Sequence, residues 1–149
     1  MTTGRNNHRK QKTWKTNIQN YSGLKMLEAD YVVIGGGALS LAFVDELIHK
    51  SYDTTAIIVE KRGKPGGHWN DAYDFVRLHQ PAAWYGVSSE ELGIGGPDLV
   101  SKSQILAYYE LVVEKLVSTN RVKFFWQCEY REEGKIVSLV EDGLEYQVR

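Results

Sequence analysis

The sequence predicts an α/β domain in which a parallel sheet, built on a βαβ unit, is followed by an antiparallel β-meander. Three observations point there. Residues 31–60 run apolar strand, glycine turn, helix, apolar strand. A second helix ends just before a third apolar run at Val122–Trp126. The last twenty residues alternate apolar and polar side chains around Glu-Gly and Asp-Gly pairs.

Each element has a local cause. Tyr31–Ile34 is apolar throughout and rich in β-branched residues, which predicts a strand buried on both faces. Ala38 to about Lys50 has helical spacing, with Leu39, Phe43 and Leu47 on one face and Leu41, Val44 and Ile48 beside it. Ala56–Glu60 is the second buried strand, and a crossover of this kind is right-handed. Ser101 opens the second helix. It forms a capping box with Gln104, and Val100 with Ile105 forms a hydrophobic staple. Ile105, Tyr109, Val112, Val113, Leu116 and Val117 then recur at helical spacing.

Between these lies a segment without a period. Residues 61–97 hold seven glycines, all three prolines and five aromatics, Trp69, Tyr73, Phe75, Trp84 and Tyr85. An irregular stretch of this length in a compact domain is functional or disordered, and its aromatic content argues for function.

Composition bounds the rest. The chain has 149 residues and a net charge of −1, so it suits a single domain and gives no reason to expect a nucleic-acid partner. The charge is uneven. Residues 1–26 carry six bases and no acid, leaving 12 bases against all 19 acids, a balance of −7. The basic head has no apolar stretch, so it is neither a secretory signal nor a membrane span, and residues 1–28 are expected to form a disordered tail before a domain over 29–149. The single cysteine, Cys128, suits a reducing compartment. The expected location is the cytoplasm, with a mitochondrial presequence as the alternative reading of the head. No Cys/His spacing resembles a metal site.

The glycines have specific jobs. Gly35-x-Gly37-x-x-Ser40 follows a strand and opens a helix, and Glu60 lies 25 residues past Gly35 at the end of the second strand. This is the dinucleotide-binding fingerprint with one substitution. Gly35 permits the turn. Gly36, Gly37 and the first helical residue Ala38 present bare backbone and free N–H groups to a diphosphate. Ser40 stands where a third glycine normally allows close helix–strand packing. A carboxylate at Glu60 suits ribose hydroxyls and repels a 2′-phosphate, which favours FAD or NAD over NADP. The alternative is a βαβ turn with a spare glycine and a solvated acid.

The segment Glu60–Gly86 carries a resemblance. Glu60, Lys61, Arg62, Gly66-Gly67-His68-Trp69 and Tyr73 resemble the N-terminal FAD-binding part of flavin-containing and Baeyer–Villiger monooxygenases and related FAD/NAD(P)-dependent oxidoreductases. Val76–Ala82, "VRLHQPA", is similar to a run of the Baeyer–Villiger group. "PGGHWNDAYDFVRLHQP" resembles an uncharacterised branch of such oxidoreductases. The likeness covers residues 28–149. It implies a Rossmann-like FAD/NAD(P)-binding domain, FAD as cofactor and NAD(P)H as electron donor. It also implies a flavin site drawn from Gly66, Gly67, His68, Trp69, Arg77, His79 and Gln80 besides the glycine turn. Trp69 and its aromatic neighbours can wall a flat apolar ring, the alternative being ordinary core aromatics. Lys61 and Arg62 read as adenosine contacts or as solvated loop charges. His79 stands where the family has Asp or Asn. It is the candidate titrating group beside the flavin, or else a hydrogen-bonded structural histidine.

Family members run to several hundred residues, and nothing after Gln127 supplies a second glycine fingerprint. The chain is therefore expected to be the amino-terminal, apparently truncated, part of a flavoprotein that is inactive alone, with an unknown small-molecule substrate. The competing readings are an NAD-dependent dehydrogenase domain and a non-catalytic FAD-binding module.

Overall fold

The computed structural model describes residues 20–21, 24–94 and 97–149. The strands are β1 (Asn20–Tyr21), β2 (Leu24–Leu27), β3 (Tyr31–Ile34), β4 (Ala56–Glu60), β5 (Gly86–Val87), β6 (Glu90–Glu91), β7 (Val122–Trp126), β8 (Cys128–Arg131), β9 (Lys135–Ser138) and β10 (Glu145–Val148); the helices are α1 (Ala38–Lys50) and α2 (Lys102–Ser118).

β3, β4 and β7 form a parallel three-stranded sheet with β4 in the middle. A five-stranded sheet in the order β1-β2-β10-β9-β8 lies beside it, and its last three strands are the expected meander. β4 is buried along its whole length because it is covered on both faces. Ala56 and Ile58 point into a cluster with Leu41, Val44, Ile48, Ile105, Tyr109 and Val112 of the two helices. Ile57 and Val59 point the other way, into a cluster with Leu27, Cys128, Ile136 and Val148 of the second sheet. Each fully buried aliphatic side chain in these layers contributes roughly 1.5–3 kcal/mol.

α2 begins as the sequence predicts. The Ser101 hydroxyl accepts from the Gln104 N–H, and the Gln104 side chain accepts from the Ser101 N–H, completing the capping box. Val100 and Ile105 are both buried in the helix-side cluster. The far end of α1 is held by Arg121, whose guanidinium donates to the carbonyls of Ile48 and Ser51 at 2.7 and 2.6 Å. That fixes α1 against β7 and leaves its N-terminus at the carboxyl ends of β3 and β4.

Three expectations change. β3 is not buried on both faces: it is the edge of the parallel sheet, and Tyr31 and Ile34 are 44 % and 64 % exposed. α1 buries Leu41, Val44, Asp45 and Ile48, whereas Leu39 and Phe43 face outward. The buried face also carries Asp45, 1 % exposed, which accepts from the Ser89 N–H and hydroxyl in the β5–β6 connection. The tail expected over 1–28 lies mostly outside the described residues. Within them Leu24–Leu27 is a strand parallel to β10, so ordered structure begins before residue 29.

Candidate nucleotide site

The candidate site is the junction of two glycine turns at the carboxyl ends of β3 and β4. The first turn leaves β3 through Gly35, whose φ of 95° lies in the left-handed region that favours glycine. The Gly35 N–H donates to Val59 O at 2.8 Å, extending the parallel ladder by one bond. Gly36 is then held by the acid that closes β4. Its N–H donates to Glu60 Oε2 at 2.5 Å, while Glu60 Oε1 accepts from the Arg62 N–H at 2.8 Å. A Cβ at Gly36 would sit 3.3 Å from that same Oε2, so the absence of a side chain makes room for the carboxylate.

Glu60 is only 3 % exposed, yet each oxygen has spent one lone pair on a main-chain donor. A carboxylate accepts at about four sites, so roughly two remain.

Gly37 is the N-cap of α1 and offers no side-chain cap. Leu41 N–H is the first to find an intrahelical carbonyl, that of Gly37. The amides of Ala38, Leu39 and Ser40 therefore form an uncapped first turn, the positive end of the helix dipole. Ser40 lies over the first turn, its Oγ 3.9 Å from where a Gly35 Cβ would be.

The second turn packs directly on the first. Gly66 N–H donates to Gly36 O at 2.9 Å, and a Cβ on Gly67 would come within 3.1 Å of Gly37 Cα. Gly66 has a φ of 112°, and a Cβ there would meet Leu106 Cδ2 at 2.5 Å. The following turn of 3-10 helix, Gly67–Asn70, carries His68 and Trp69. His68 is exposed, with its carbonyl accepting from Asp71 N–H at 3.0 Å, and its ring lies beside that of Trp69.

Trp69 belongs to the helix-side core at 6 % exposure, and its Nε1 has no hydrogen-bond partner among the described residues. Tyr73, Phe75 and Trp84, in contrast, are 73 %, 82 % and 75 % exposed, the first two stacked with ring centroids 5.4 Å apart. The aromatic set thus divides into a core member, a half-buried Tyr85 packed against that core, and a surface group.

The two basic residues are engaged by protein carboxylates. Lys61 Nζ lies 2.8 Å from Glu129, and Arg62 pairs with Asp71 and stands 3.8 Å from Glu60 Oε1. The Asp71 hydrogen bond pushes the Arg62 guanidinium further up from its ordinary range.

Arg77, His79 and Gln80 are not tied to this junction. Arg77 donates to Leu99 O at 3.1 Å and bridges the backbone at Ser101. His79 and Gln80 are exposed and have no hydrogen-bond partner among the described residues. The structure thus brings together Gly35, Gly36, Gly37, Ala38, Ser40, Glu60, Arg62, Gly66 and Gly67, with Lys61 on the rim. Asn70, which the sequence did not single out, joins them. Its Nδ2 donates to Pro65 O and Gly67 O at 3.0 and 3.1 Å. An asparagine three residues past a Gly-Gly pair was the available signal.

Taken together, the junction offers bare N–H donors at a helix start, a backbone without Cβ atoms at Gly37, and a carboxylate with unspent lone pairs. This donor set fits the diphosphate and ribose of a dinucleotide. Among the described residues, no group of three or more His, Cys, Asp or Glu is placed to hold a metal ion, and no helix is long and apolar enough to cross a membrane.

Comparison with known proteins agrees on the architecture. No protein-family model matches the sequence. An uncharacterized protein of Mycobacterium tuberculosis is 42 % identical over an alignment of 135 residues, which covers 83 % of this chain and 25 % of that relative. An uncharacterized protein of Mycobacterium bovis matches to the same extent. The chain therefore spans about a quarter of the length of the curated relatives it matches.

Among solved structures, a flavin-containing monooxygenase from Stenotrophomonas maltophilia superposes with a TM-score of 0.61 at 22 % identity, over 82 % of this chain and 36 % of that one. A bacillithiol disulfide reductase from Bacillus cereus gives 0.62 at 18 %, over 82 % and 38 %. The closed form of cyclohexanone monooxygenase gives 0.57 at 22 %, over 83 % and 25 %. The resemblance read from the sequence holds in the fold: this is the Rossmann-like α/β architecture of flavin monooxygenases and related oxidoreductases.

Proposed function

We propose that this chain is the FAD-binding, amino-terminal part of a cytoplasmic flavoprotein oxidoreductase of monooxygenase-like type. One observation carries the reading. The carboxylate of Glu60 lies under a glycine turn at the ends of two parallel strands, beside the uncapped first turn of α1.

In this reading the amides of Ala38, Leu39 and Ser40 take the diphosphate, and Gly37 lets it approach the main chain. The remaining lone pairs of Glu60 accept from ribose hydroxyls, and the same charge rejects a 2′-phosphate. Tyr73, Phe75 and Trp84 supply aromatic surface against which a flat ring can be shielded from water. When bound, the flavin supplies electron transfer between NAD(P)H and the substrate or oxygen. The length of the matched relatives supports a division of labour, in which the NAD(P)H and substrate parts lie outside the region covered here and the chain alone turns nothing over.

Titrating FAD, NAD and NADP separately into the purified chain by calorimetry tests this. FAD is expected to bind, and NADP to bind weakest. Binding of NAD without FAD would favour a dehydrogenase domain, and binding of none of the three would refute the reading. NADPH oxidation by the FAD-loaded chain would overturn its inactivity alone.

A further inference from the structure

We propose that Asn70 is a positioning residue for the nucleotide site, acting through the second glycine turn on the first; this rests on the reading of the site given above. Gly66 and Gly67 are consecutive residues with φ of 112° and 52°, a conformation that local sterics do not enforce. Asn70 enforces it by donating from one nitrogen to the carbonyls on both sides, Pro65 O at 3.0 Å and Gly67 O at 3.1 Å. Its amide orientation is fixed by those partners, because the reversed amide would set an acceptor against two carbonyl oxygens. The consequence is that Asn70 Oδ1 is buried without a hydrogen-bond partner among the described residues. An unsatisfied acceptor is an expense that folded proteins rarely retain, and here it accompanies two donations that hold a turn.

The clamped turn reaches the site by two routes. Gly66 N–H donates to Gly36 O at 2.9 Å, the one hydrogen bond between residues 63–70 and the Gly35–Gly37 turn among the described residues. Gly67 N and Cα lie 4.0 and 3.6 Å from the Cβ position of Gly37, the residue that must stay open to the diphosphate. Loosening Asn70 therefore frees Gly66 from Gly36 and lets Gly67 drift over Gly37.

The test is Asn70→Leu, which keeps the branched shape and removes both polar groups, with Asn70→Ser measured in the same way should N70L not fold. Two readouts are taken on the whole chain: amide hydrogen exchange at Gly66 and at Ile58 of β4, and ADP affinity by calorimetry. The expected result is about 10-fold faster exchange at Gly66 with Ile58 protection unchanged, and ADP binding weakened about 10-fold. Equal loss of protection at both amides, with ADP affinity of the folded fraction unchanged, would make Asn70 merely structural and overturn the proposal. So would a folded variant that matches wild type in both readouts. Wild-type protein that binds neither ADP nor FAD would instead sink the reading of the site, and this proposal with it.

Discussion

Replacing Gly37 with alanine separates a glycine needed by the fold from one needed by a ligand. Gly37 has a φ of −90°, which any residue adopts, and an added Cβ would meet only Gly67 Cα at 3.6 Å and Gly67 N at 4.0 Å, ordinary contact distances. Alanine is a poorer N-cap than glycine, but it also restricts the unfolded chain, by about 0.4–1 kcal/mol. The two effects oppose each other, so stability should change by less than about 1 kcal/mol, and Tm by less than about 4 °C for a chain of this size. A diphosphate is affected differently. On the proposed reading a diphosphate approaches the main chain at Gly37, so the new methyl group is expected to crowd it, and loss of one charge-assisted hydrogen bond costs about 1.5–3 kcal/mol, or about 10- to 150-fold in Kd. Calorimetric titration of FAD into wild type and Gly37→Ala, with a thermal melt of each, reads both numbers. A variant that melts with wild type and binds FAD equally well would refute the assignment of Gly37 to the diphosphate. A Tm loss above about 10 °C would refute the packing argument instead.

Gly66→Ala should behave in the opposite way: a Cβ 2.5 Å from Leu106 Cδ2 on a residue with φ of 112° is expected to lower Tm by about 5–15 °C before any ligand is added, and an unchanged melt would contradict the geometry. Glu60→Gln turns one acceptor into a donor that faces the N–H of Gly36 or Arg62. The expected result is a loss of about 1–3 kcal/mol in chemical denaturation together with weaker FAD binding, and full stability in this variant would show that the carboxylate does not hold the turn. The Lys61 hydrogen bond holds the Glu129 carboxyl below its usual range, so the pair's contribution is present above the unfolded carboxyl pKa and fades as pH falls through the folded value. Glu129→Gln should accordingly melt below wild type at about pH 7, with the gap narrowing as pH falls below the ordinary carboxylate range, and a gap that widens in acid would contradict this sign.

Much of the fold is legible in the sequence because it is locally caused. Tyr31–Ile34, Ala56–Glu60 and Val122–Trp126 are strands by composition, and Ser101 with Gln104 marks the start of α2 by a capping exchange confined to four residues. What escaped depends on distant partners. The apolar run of β3 cannot reveal that the strand has a neighbour on one side only. Leu24–Leu27, interrupted by Lys25 and next to a basic head, has no strand pattern of its own; its pairing with β10 lies about 120 residues away in sequence. Phe43 looks as suitable for the core as Val44, yet Val44 is buried with the helix-side core while Phe43 sets its ring against Tyr31 at the exposed edge strand. In the site, the glycine turn and Glu60 were legible as a spacing, whereas the contact of Gly67 with Gly37 joins two loops thirty residues apart and leaves no periodic trace.

The glycines of this junction answer to different demands, so a pattern match to them conflates unlike causes. Gly35 and Gly66 are glycines by backbone angle, and Gly36 by the space that Glu60 fills. Gly67 is a glycine on both counts, with φ of 52° and Gly37 Cα at 3.1 Å from its Cβ position. Only Gly37 has neither an angle nor a close neighbour that calls for a missing side chain. A side chain would fit there at ordinary contact distance from Gly67, so the fold itself does not require this glycine. Glu60 shows the complementary case: it is fully accounted for as the anchor of Gly36 and the Arg62 amide, yet it retains acceptor capacity beyond those two bonds. Room for a side chain at Gly37 and further acceptor capacity on Glu60, fixed to the same turn, are the two features on which the proposed recognition of a dinucleotide rests.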